Sequence, residues 1–190
     1  TPVIDMLDLP QQYFLSVGTL EPRKNLVGLC EAYRELLTEF PDAPTLVLVG
    51  RQGWHYEQLK QDMDAVGLGD KLRILHNVSD KQLPALYNHA VALITPSFYE
   101  GFGLPALEAM ACGTVPIVSN LSSLPEITGD VGLLIDPHQI ETSTQAMKNV
   151  LIDPEWCKKE AKRAIERAKQ FTWENTARIV HKTYQNVLAT

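Results

Sequence analysis

Short apolar runs alternate along this chain with longer segments whose apolar positions recur at helical spacing. The apolar runs lie at residues 13–17, 45–49, 72–75, 91–95, 115–118 and 132–135. Parallel strands covered on both faces are apolar at nearly every position, and helices connect one such strand to the next. The pattern therefore predicts an α/β fold, a doubly wound parallel sheet of about six strands.

The alternation of strand and helix stops after the sixth run. Asp153 and Pro154 begin a charged helical segment that extends to residue 170, and Thr172 begins a second helix that ends near residue 188. Thr172 with Glu174 or Asn175 forms a pattern typical of a helix N-terminus. The last helix carries an apolar stripe, which predicts that it packs against another surface. The stripe consists of Trp173, Ile179, Val180, Tyr184 and Val187.

Composition predicts one enzyme-like domain, residues 1–190. The chain has 190 residues, of which 45% are hydrophobic, enough to bury a full core. A net charge of −6 argues against a nucleic-acid partner, and no apolar run is long enough to form a transmembrane segment. Cys30, Cys112 and Cys157 lack a Cys-x-x-Cys spacing, so we expect reduced thiols and a cytoplasmic location. The N-terminus shows neither an initiator methionine nor a signal-peptide pattern, which suggests part of a longer protein.

Two carboxylates flank a glycine-rich turn after the fourth run. Glu100 and Glu108 are eight residues apart, and Pro105 between them fits the first turn of a helix. Gly101 and Gly103 would let backbone N–H groups approach an anion at the positive end of that helix, most simply a phosphate. Glu100 could then bind a sugar on one side of the phosphate, and Glu108 could accept hydrogen bonds from ribose hydroxyls on the other.

A second loop, residues 18–25, joins the first apolar run to an amphipathic helix. It begins at Gly18 and contains Arg23 and Lys24, whose cationic groups suit pyrophosphate oxygens. Asn25 is predicted to cap the helix. The helix dipole disfavours cations at this end, which suggests that an anionic ligand compensates for them. The alternative is that both are ordinary surface charges.

These motifs resemble those of the C-terminal, donor-binding domain of retaining glycosyltransferases with two Rossmann-like domains. This is the GT-B type, group 1 or family four, which contains sucrose, mannosyl and glycogen synthases. The marks are the two glutamates with seven residues between them, the loop at 18–25, and the closing Phe171-Thr172-Trp173-Glu174 segment. The resemblance covers essentially all of the chain, and it implies that the last helix returns to an N-terminal domain.

The resemblance also implies roles for individual residues. Arg23 and Lys24 would hold the diphosphate, Glu100 the donor sugar and Glu108 the ribose. Backbone groups complete the expected binding site: Gly18, Gly101, Phe102, Gly103 and Leu104 around the phosphates. The nucleobase would lie at His76, Asn77 and Val78, where His76 either stacks on the base or only borders the pocket. His76, His89, His138 and His181 are scattered without metal-ligand spacing.

The implied reaction transfers a hexosyl group from a nucleoside-diphosphate sugar to a hydroxyl acceptor with retention of configuration. Glu100, Arg23 and Lys24 would be the catalytic residues. The reaction would need no metal, because Arg23, Lys24 and the helix N-terminus at Gly103 would stabilise the departing diphosphate, and no cofactor, because the donor is itself the substrate. The loop at residues 21–25 favours GDP-mannose over UDP-glucose. A carbohydrate or lipid-linked acceptor would bind through an N-terminal domain absent from this chain, and the full-length enzyme could be peripheral to the membrane.

Two alternatives belong to other functional classes. Residues 101–106 satisfy the Gly-x-Gly-x-x-Ala pattern of NAD-dependent oxidoreductases, but that pattern normally lies in the first strand–helix unit with an acidic residue about twenty positions later. Here the glycines are mid-chain and the next strand ends at Ser119 and Asn120. A non-catalytic module that binds nucleotide sugars stays open, because this chain would form only half of a two-domain cleft.

Overall fold

The computed structural model describes residues 2–188 and contains a six-stranded parallel sheet with the order β3-β2-β1-β4-β5-β6. The strands are β1 (Tyr13–Val17), β2 (Thr45–Val49), β3 (Leu72–Leu75), β4 (Ala90–Thr95), β5 (Pro116–Ser119) and β6 (Leu133–Ile135). The predicted doubly wound sheet is confirmed, and no strand boundary differs from its apolar run by more than one residue. The order reverses between β1 and β4, as expected for this topology.

Helices cover both faces of the sheet. The helices are α1 (Pro2–Met6), α2 (Leu26–Glu39), α3 (Tyr56–Val66), α4 (Leu83–His89), α5 (Leu104–Ala111), α6 (Leu124–Thr128), α7 (Ile140–Ile152), α8 (Pro154–Ala168) and α9 (Trp173–Leu188). One core cluster joins the sheet to α2, α3 and α7, and another joins its opposite face to α1, α4, α5 and α6.

Both faces of the strands are buried, and this explains their continuous apolar sequences. In β1, Phe14 belongs to the first cluster, whereas Tyr13 and Leu15 belong to the second. All three side chains are fully buried. Successive residues of a strand point to opposite faces, so a strand between two helical layers needs apolar residues at both parities.

The two C-terminal helices begin as predicted. Asp153 accepts a hydrogen bond from the N–H of Trp156 (2.8 Å), and Thr172 accepts one from the N–H of Asn175 (3.1 Å). The helix α8 packs on α5 through a third apolar cluster that includes Met110 and Ala164.

The last helix, α9, has no buried residue in the part of the chain that the structure describes. Trp173 is 82% exposed, so its predicted packing is not found between residues 2 and 188. The stripe is present, but the surface that would cover it is not among the described residues. None of the described helices is both long enough and apolar enough to cross a membrane.

Candidate functional site

The carboxyl ends of β1 and β4 bring the two predicted motifs together. These strands are direct neighbours, with Leu15 paired to Leu93. The N–H of Phe98, in the loop after β4, donates to the carbonyl of Arg23 in the loop after β1 (3.0 Å). Two loops far apart in sequence thereby form one site at the edge where ligands of doubly wound sheets bind.

The carboxylate of Glu100 is the centre of a buried ionic cluster. Its Oε1 accepts hydrogen bonds from Lys24 Nζ (2.5 Å) and Ser97 Oγ (2.7 Å), and its Oε2 accepts one from Arg23 Nη1 (3.1 Å). Glu100 is 7% and Lys24 8% exposed. Burial alone would raise the pKa of Glu100, but the hydrogen bonds from Lys24, Ser97 and Arg23 outweigh it and lower the pKa below its ordinary value. The carboxylate is therefore ionised at neutral pH.

Arg23 is held by protein acceptors on several sides. Its guanidinium donates to Glu21 Oε1 from Nη2 (2.6 Å) and Nε (3.0 Å), and Nη1 also donates to the carbonyl of Tyr99. Burial acts to lower the pKa of Arg23, but hydrogen bonds to Glu21 and Glu100 raise it overall. The expectation that the two cations need an external anion is therefore wrong. The protein's own glutamates already balance their charge.

The loop after β1 leaves room for the side chain of Lys24. Arg23 and Lys24 lie in a 3₁₀ turn, Pro22–Lys24, that precedes α2. Gly18 has a φ of +149°, and a Cβ there would lie 3.1 Å from Lys24 Nζ. A side chain at this position would crowd the ammonium group, so glycine permits the close approach of Lys24 to Glu100.

Asn25 does not cap α2 with its side chain, contrary to prediction. Its backbone is left-handed, with a φ of +53°, and its Nδ2 donates to the carbonyl of Pro137 (2.8 Å). An N-cap residue normally has an extended backbone that turns its side chain toward the first helical N–H groups. Asn25 instead ties the loop after β1 to the segment after β6.

The glycine-rich turn leads directly into α5, and Pro105 lies in the first turn as predicted. Gly103 has a φ of +101°, and a Cβ there would lie 2.7 Å from Leu124 Cδ2. A Cβ on Gly101 would meet nothing within 4 Å. No oxygen in residues 2–188 accepts a hydrogen bond from the N–H groups of Gly101, Phe102 or Gly103. These donors, with the N-terminus of α5, can bind an anion.

Glu108 lies one turn into α5 with its carboxylate exposed. The hydroxyl of the buried Tyr87 donates to Glu108 Oε2 (2.8 Å). Burial, reinforced by the nearby Glu108, raises the pKa of Tyr87, which keeps the hydroxyl protonated. Tyr87 therefore orients one oxygen of the carboxylate, and Oε1 can accept hydrogen bonds from a ligand.

His76 lies in the loop after β3, and both of its ring nitrogens contact groups outside that loop. Nδ1 lies 3.0 Å from the carbonyl of Gly50, and Nε2 lies 3.2 Å from the hydroxyl of Tyr56. Because a carbonyl only accepts, Nδ1 carries a proton and donates to the carbonyl of Gly50. Asn77 is exposed, and Val78 packs partly in the second core cluster. Binding of a base by this loop stays a prediction.

Sequence analysis missed several residues that shape the site. Ser97 and Glu21 bind the charged groups directly, and Tyr87 orients Glu108. Ser97 could have been found by its place two residues beyond β4, at the edge of the sheet where ligands bind. Tyr87 gives no such signal because it reads as a core residue of α4. Within residues 2–188, no group of three or more His, Cys, Asp or Glu side chains could hold a metal ion.

Comparison with protein families and curated proteins gives consistent matches. The family model described as "Glycosyl transferases group 1" matches residues 6–171. The chain is 42% identical to O-antigen chain mannosyltransferase B of Escherichia coli, covering 92% of this chain and 46% of that protein. It is 33% identical to the serotype-specific mannosyltransferase WbdA of Escherichia coli, covering 97% of this chain and 23% of that protein. The chain thus spans less than half the length of these relatives.

Solved structures share the fold over nearly the whole chain. Sucrose-phosphate synthase from Thermosynechococcus elongatus has a TM-score of 0.81 and 29% identity, covering 98% of this chain and 48% of that one. Anabaena HepE in complex with UDP and glucose has a TM-score of 0.84 and 21% identity, covering 97% of this chain and 51% of that one. The second likeness shows the fold alone.

Proposed function

The chain belongs to the group 1 glycosyltransferases, and we propose that it binds the nucleoside-diphosphate sugar in a retaining hexosyltransferase, with GDP-mannose favoured over UDP-glucose. The observation that carries the proposal is the buried Glu100–Lys24–Arg23 cluster beside the N-terminus of α5. Mannosyltransferases among the relatives support the choice of sugar. HepE, which was solved with UDP and glucose, shows that a protein of this fold can hold a nucleotide and a sugar.

In this proposal Lys24 and Arg23 donate hydrogen bonds to Glu100 when no ligand is bound and to the diphosphate when the donor is bound. The carboxylate already accepts three hydrogen bonds, and Lys24 and Arg23 provide two of them. When phosphate oxygens receive these donors, the carboxylate is free to accept hydrogen bonds from hydroxyls of the sugar. Glu100 thus serves as a counter-ion in one state and as a sugar ligand in the other.

The cations then act on the leaving group. As the bond between the anomeric carbon and the phosphate oxygen breaks, its electron pair passes to the diphosphate. Lys24, Arg23 and the N–H groups at Gly101 and Gly103 stabilise the developing charge. The oxygen of the acceptor hydroxyl forms the new bond to the anomeric carbon, and its proton passes to a phosphate oxygen of the leaving diphosphate. Fixed cations supply positive charge at the diphosphate, so we propose a reaction that needs neither metal nor cofactor.

The remainder of the enzyme is also part of the proposal. Residues 1–190 would form one domain, and an N-terminal domain would bind the carbohydrate or lipid-linked acceptor. The exposed apolar stripe on α9 supports this arrangement, because such a stripe requires a covering surface. The chain by itself would bind the donor without completing the transfer.

Isothermal titration calorimetry tests the ligand class. The chain is titrated with GDP, UDP, ADP, NAD, GDP-mannose and UDP-glucose at fixed salt. We expect binding of nucleoside diphosphates, tightest for GDP, and no binding of NAD. Binding of NAD without any nucleoside diphosphate would overturn the proposal in favour of an oxidoreductase. A preference for UDP-glucose over GDP-mannose would overturn only the choice of donor.

The ribose contact gives a separate prediction. Glu108→Gln should weaken GDP binding by roughly 10- to 150-fold, because hydrogen bonds to a charged acceptor contribute about 1.5–3 kcal/mol. The substitution should not affect 2′,3′-dideoxy-GDP, which lacks both ribose hydroxyls. Glu166→Gln, on the exposed side of α8, is the matched control and should leave both affinities unchanged. An equal loss for GDP and its dideoxy form would place Glu108 away from the ribose.

A further inference from the structure

Two serines in the turn after β5 hold the glycine-rich loop from its side. Ser122 Oγ accepts a hydrogen bond from the N–H of Glu100 (3.0 Å). Ser123 Oγ lies within donor distance of two carbonyls, those of Glu100 (3.0 Å) and Phe102 (2.8 Å). Two hydroxyl groups therefore engage three backbone groups of the loop that follows β4.

The backbone of Ser122 is unusual for its residue type. Its φ is +55°, in the left-handed region that serine rarely adopts. Such conformations persist where the surrounding structure fixes them, and they are concentrated at functional sites. Here the left-handed turn accompanies a hydroxyl that accepts from the N–H of Glu100.

Ser123 occupies the N-cap position of α6 but makes no side-chain cap with that helix. A serine at this position normally accepts a hydrogen bond from its own helix. Its hydroxyl is directed instead to the glycine-rich loop. The stability of α6 therefore does not explain the hydroxyl.

Holding the two carbonyls also fixes the direction of two N–H groups. A peptide unit is planar and trans, so its C=O and N–H point in opposite directions. The carbonyl of Glu100 shares a peptide unit with the N–H of Gly101, and the carbonyl of Phe102 shares one with the N–H of Gly103. Contact with Ser123 on one side thus directs both N–H groups away from Ser123. These are two of the donors that have no acceptor within residues 2–188.

We propose that Ser122 and Ser123 are positioning residues for the glycine-rich loop: Ser123 aims the N–H groups of Gly101 and Gly103 at the donor diphosphate, and Ser122 fixes the peptide unit at Glu100 from which this loop starts. This inference rests on the proposed function of the same site. The ligand class is the diphosphate of a nucleotide sugar, and the serines act through the backbone of Glu100 and Phe102 without touching the ligand. Gly101 and Gly103 have no side chains that could fix the loop, so the two hydroxyls hold its backbone together with the ring contact between Phe102 and Phe171.

The test compares GDP with guanosine on serine variants of the chain. Ser123→Ala and Ser122→Ala should each weaken GDP by about 3- to 10-fold, the effect of one lost hydrogen bond, and leave guanosine unchanged. Ser123→Thr keeps the hydroxyl and should restore the affinity for GDP. Ser143→Ala, a buried serine on α7, is the control for loss of a hydroxyl and should not alter either affinity.

Ser122→Gly separates the effect of losing the hydroxyl from the effect of the positive φ at this position. Glycine tolerates a positive φ, so the melting temperature of Ser122→Gly should exceed that of Ser122→Ala by about 2–4 °C. Both variants should nevertheless lose the same affinity for GDP, because both lack the hydroxyl. A purely structural role would instead make affinity follow the melting temperature.

The outcomes distinguish this inference from the proposed function. Wild-type chain that binds no nucleoside diphosphate overturns both. Wild-type chain that binds GDP, with Ser122→Ala and Ser123→Ala variants of unchanged affinity, overturns the role of the serines alone. A loss of guanosine binding equal to that of GDP would also overturn it, since a positioning role toward the diphosphate predicts no effect on the nucleoside.

Discussion

Lys24→Ala is expected to lower the affinity for GDP by about 10- to 150-fold and to leave the affinity for guanosine unchanged. Charge-assisted hydrogen bonds contribute about 1.5–3 kcal/mol, and Lys24 is more buried than Arg23, the other proposed cationic ligand of the diphosphate. Calorimetric titration of wild type and variant with guanosine, GMP and GDP measures the change at each added phosphate. The salt dependence of GDP binding should become flatter, because one fixed cation is lost.

A matched control and a double variant sharpen this test. Lys158→Ala removes an exposed lysine that is paired with Glu155 on α8, and it should change neither affinity nor salt dependence. Lys24→Ala also leaves Glu100 buried with one cation fewer, so the free energy of unfolding should fall. Adding Glu100→Gln should recover part of that stability but not the GDP affinity. Recovery of both, or an unchanged preference for GDP over guanosine, would show that Lys24 serves only the fold.

Arg23→Ala should change binding in the same direction but by less. Its side chain is 34% exposed and already shares its donors with Glu21 and Tyr99. Solvent screens an exposed ion pair more than a buried one, so a smaller loss is expected from Arg23 than from Lys24.

The sheet could be predicted from sequence because burial on both faces leaves a distinct pattern. The strand from Thr45 to Val49, for example, has no polar residue at its four buried positions, and a helix of similar length would show a polar face. Neighbouring β1 and β4 follow from the usual strand order of doubly wound sheets. The meeting of the loop at 18–25 with the loop at 100–108 then follows from topology alone.

The side-chain partners within the site could not be predicted in the same way. The sequence places Lys24 and Glu100 at one edge but does not encode which rotamers they adopt. The helix dipole disfavours cations at the start of α2, and a ligand was the predicted source of the compensating anion. Glu100 and Glu21 supply it from within the chain. Ser122 and Ser123 could not be recognised from a sequence motif. Their contacts depend on β5 lying beside β4 in the sheet and not on any spacing along the chain.

The fate of Glu100 distinguishes a sugar ligand from a structural counter-ion. Glu100→Gln should bind GDP at least as tightly as wild type, because a neutral amide competes less than a carboxylate for Lys24 and Arg23. GDP-mannose should bind more tightly than GDP in the wild type, and this ratio of affinities should fall by about 10- to 150-fold in Glu100→Gln, because charged hydrogen bonds contribute about 1.5–3 kcal/mol. Parallel titrations with GDP and GDP-mannose give this ratio directly.

Opposite outcomes would assign Glu100 a different role. If Glu100 only anchors the cations, the Glu100→Gln variant should lose GDP affinity as strongly as Lys24→Ala, and the ratio between GDP-mannose and GDP should not change. Glu126→Gln, in α6 beyond the turn that contains Ser122 and Ser123, provides a control of equal charge change. In a complete enzyme with its N-terminal domain, Glu100→Gln should also reduce turnover, because the sugar is no longer oriented while the diphosphate leaves. Tighter GDP binding and slower turnover are expected together only if Lys24 and Arg23 move their hydrogen bonds from the carboxylate of Glu100 to the diphosphate.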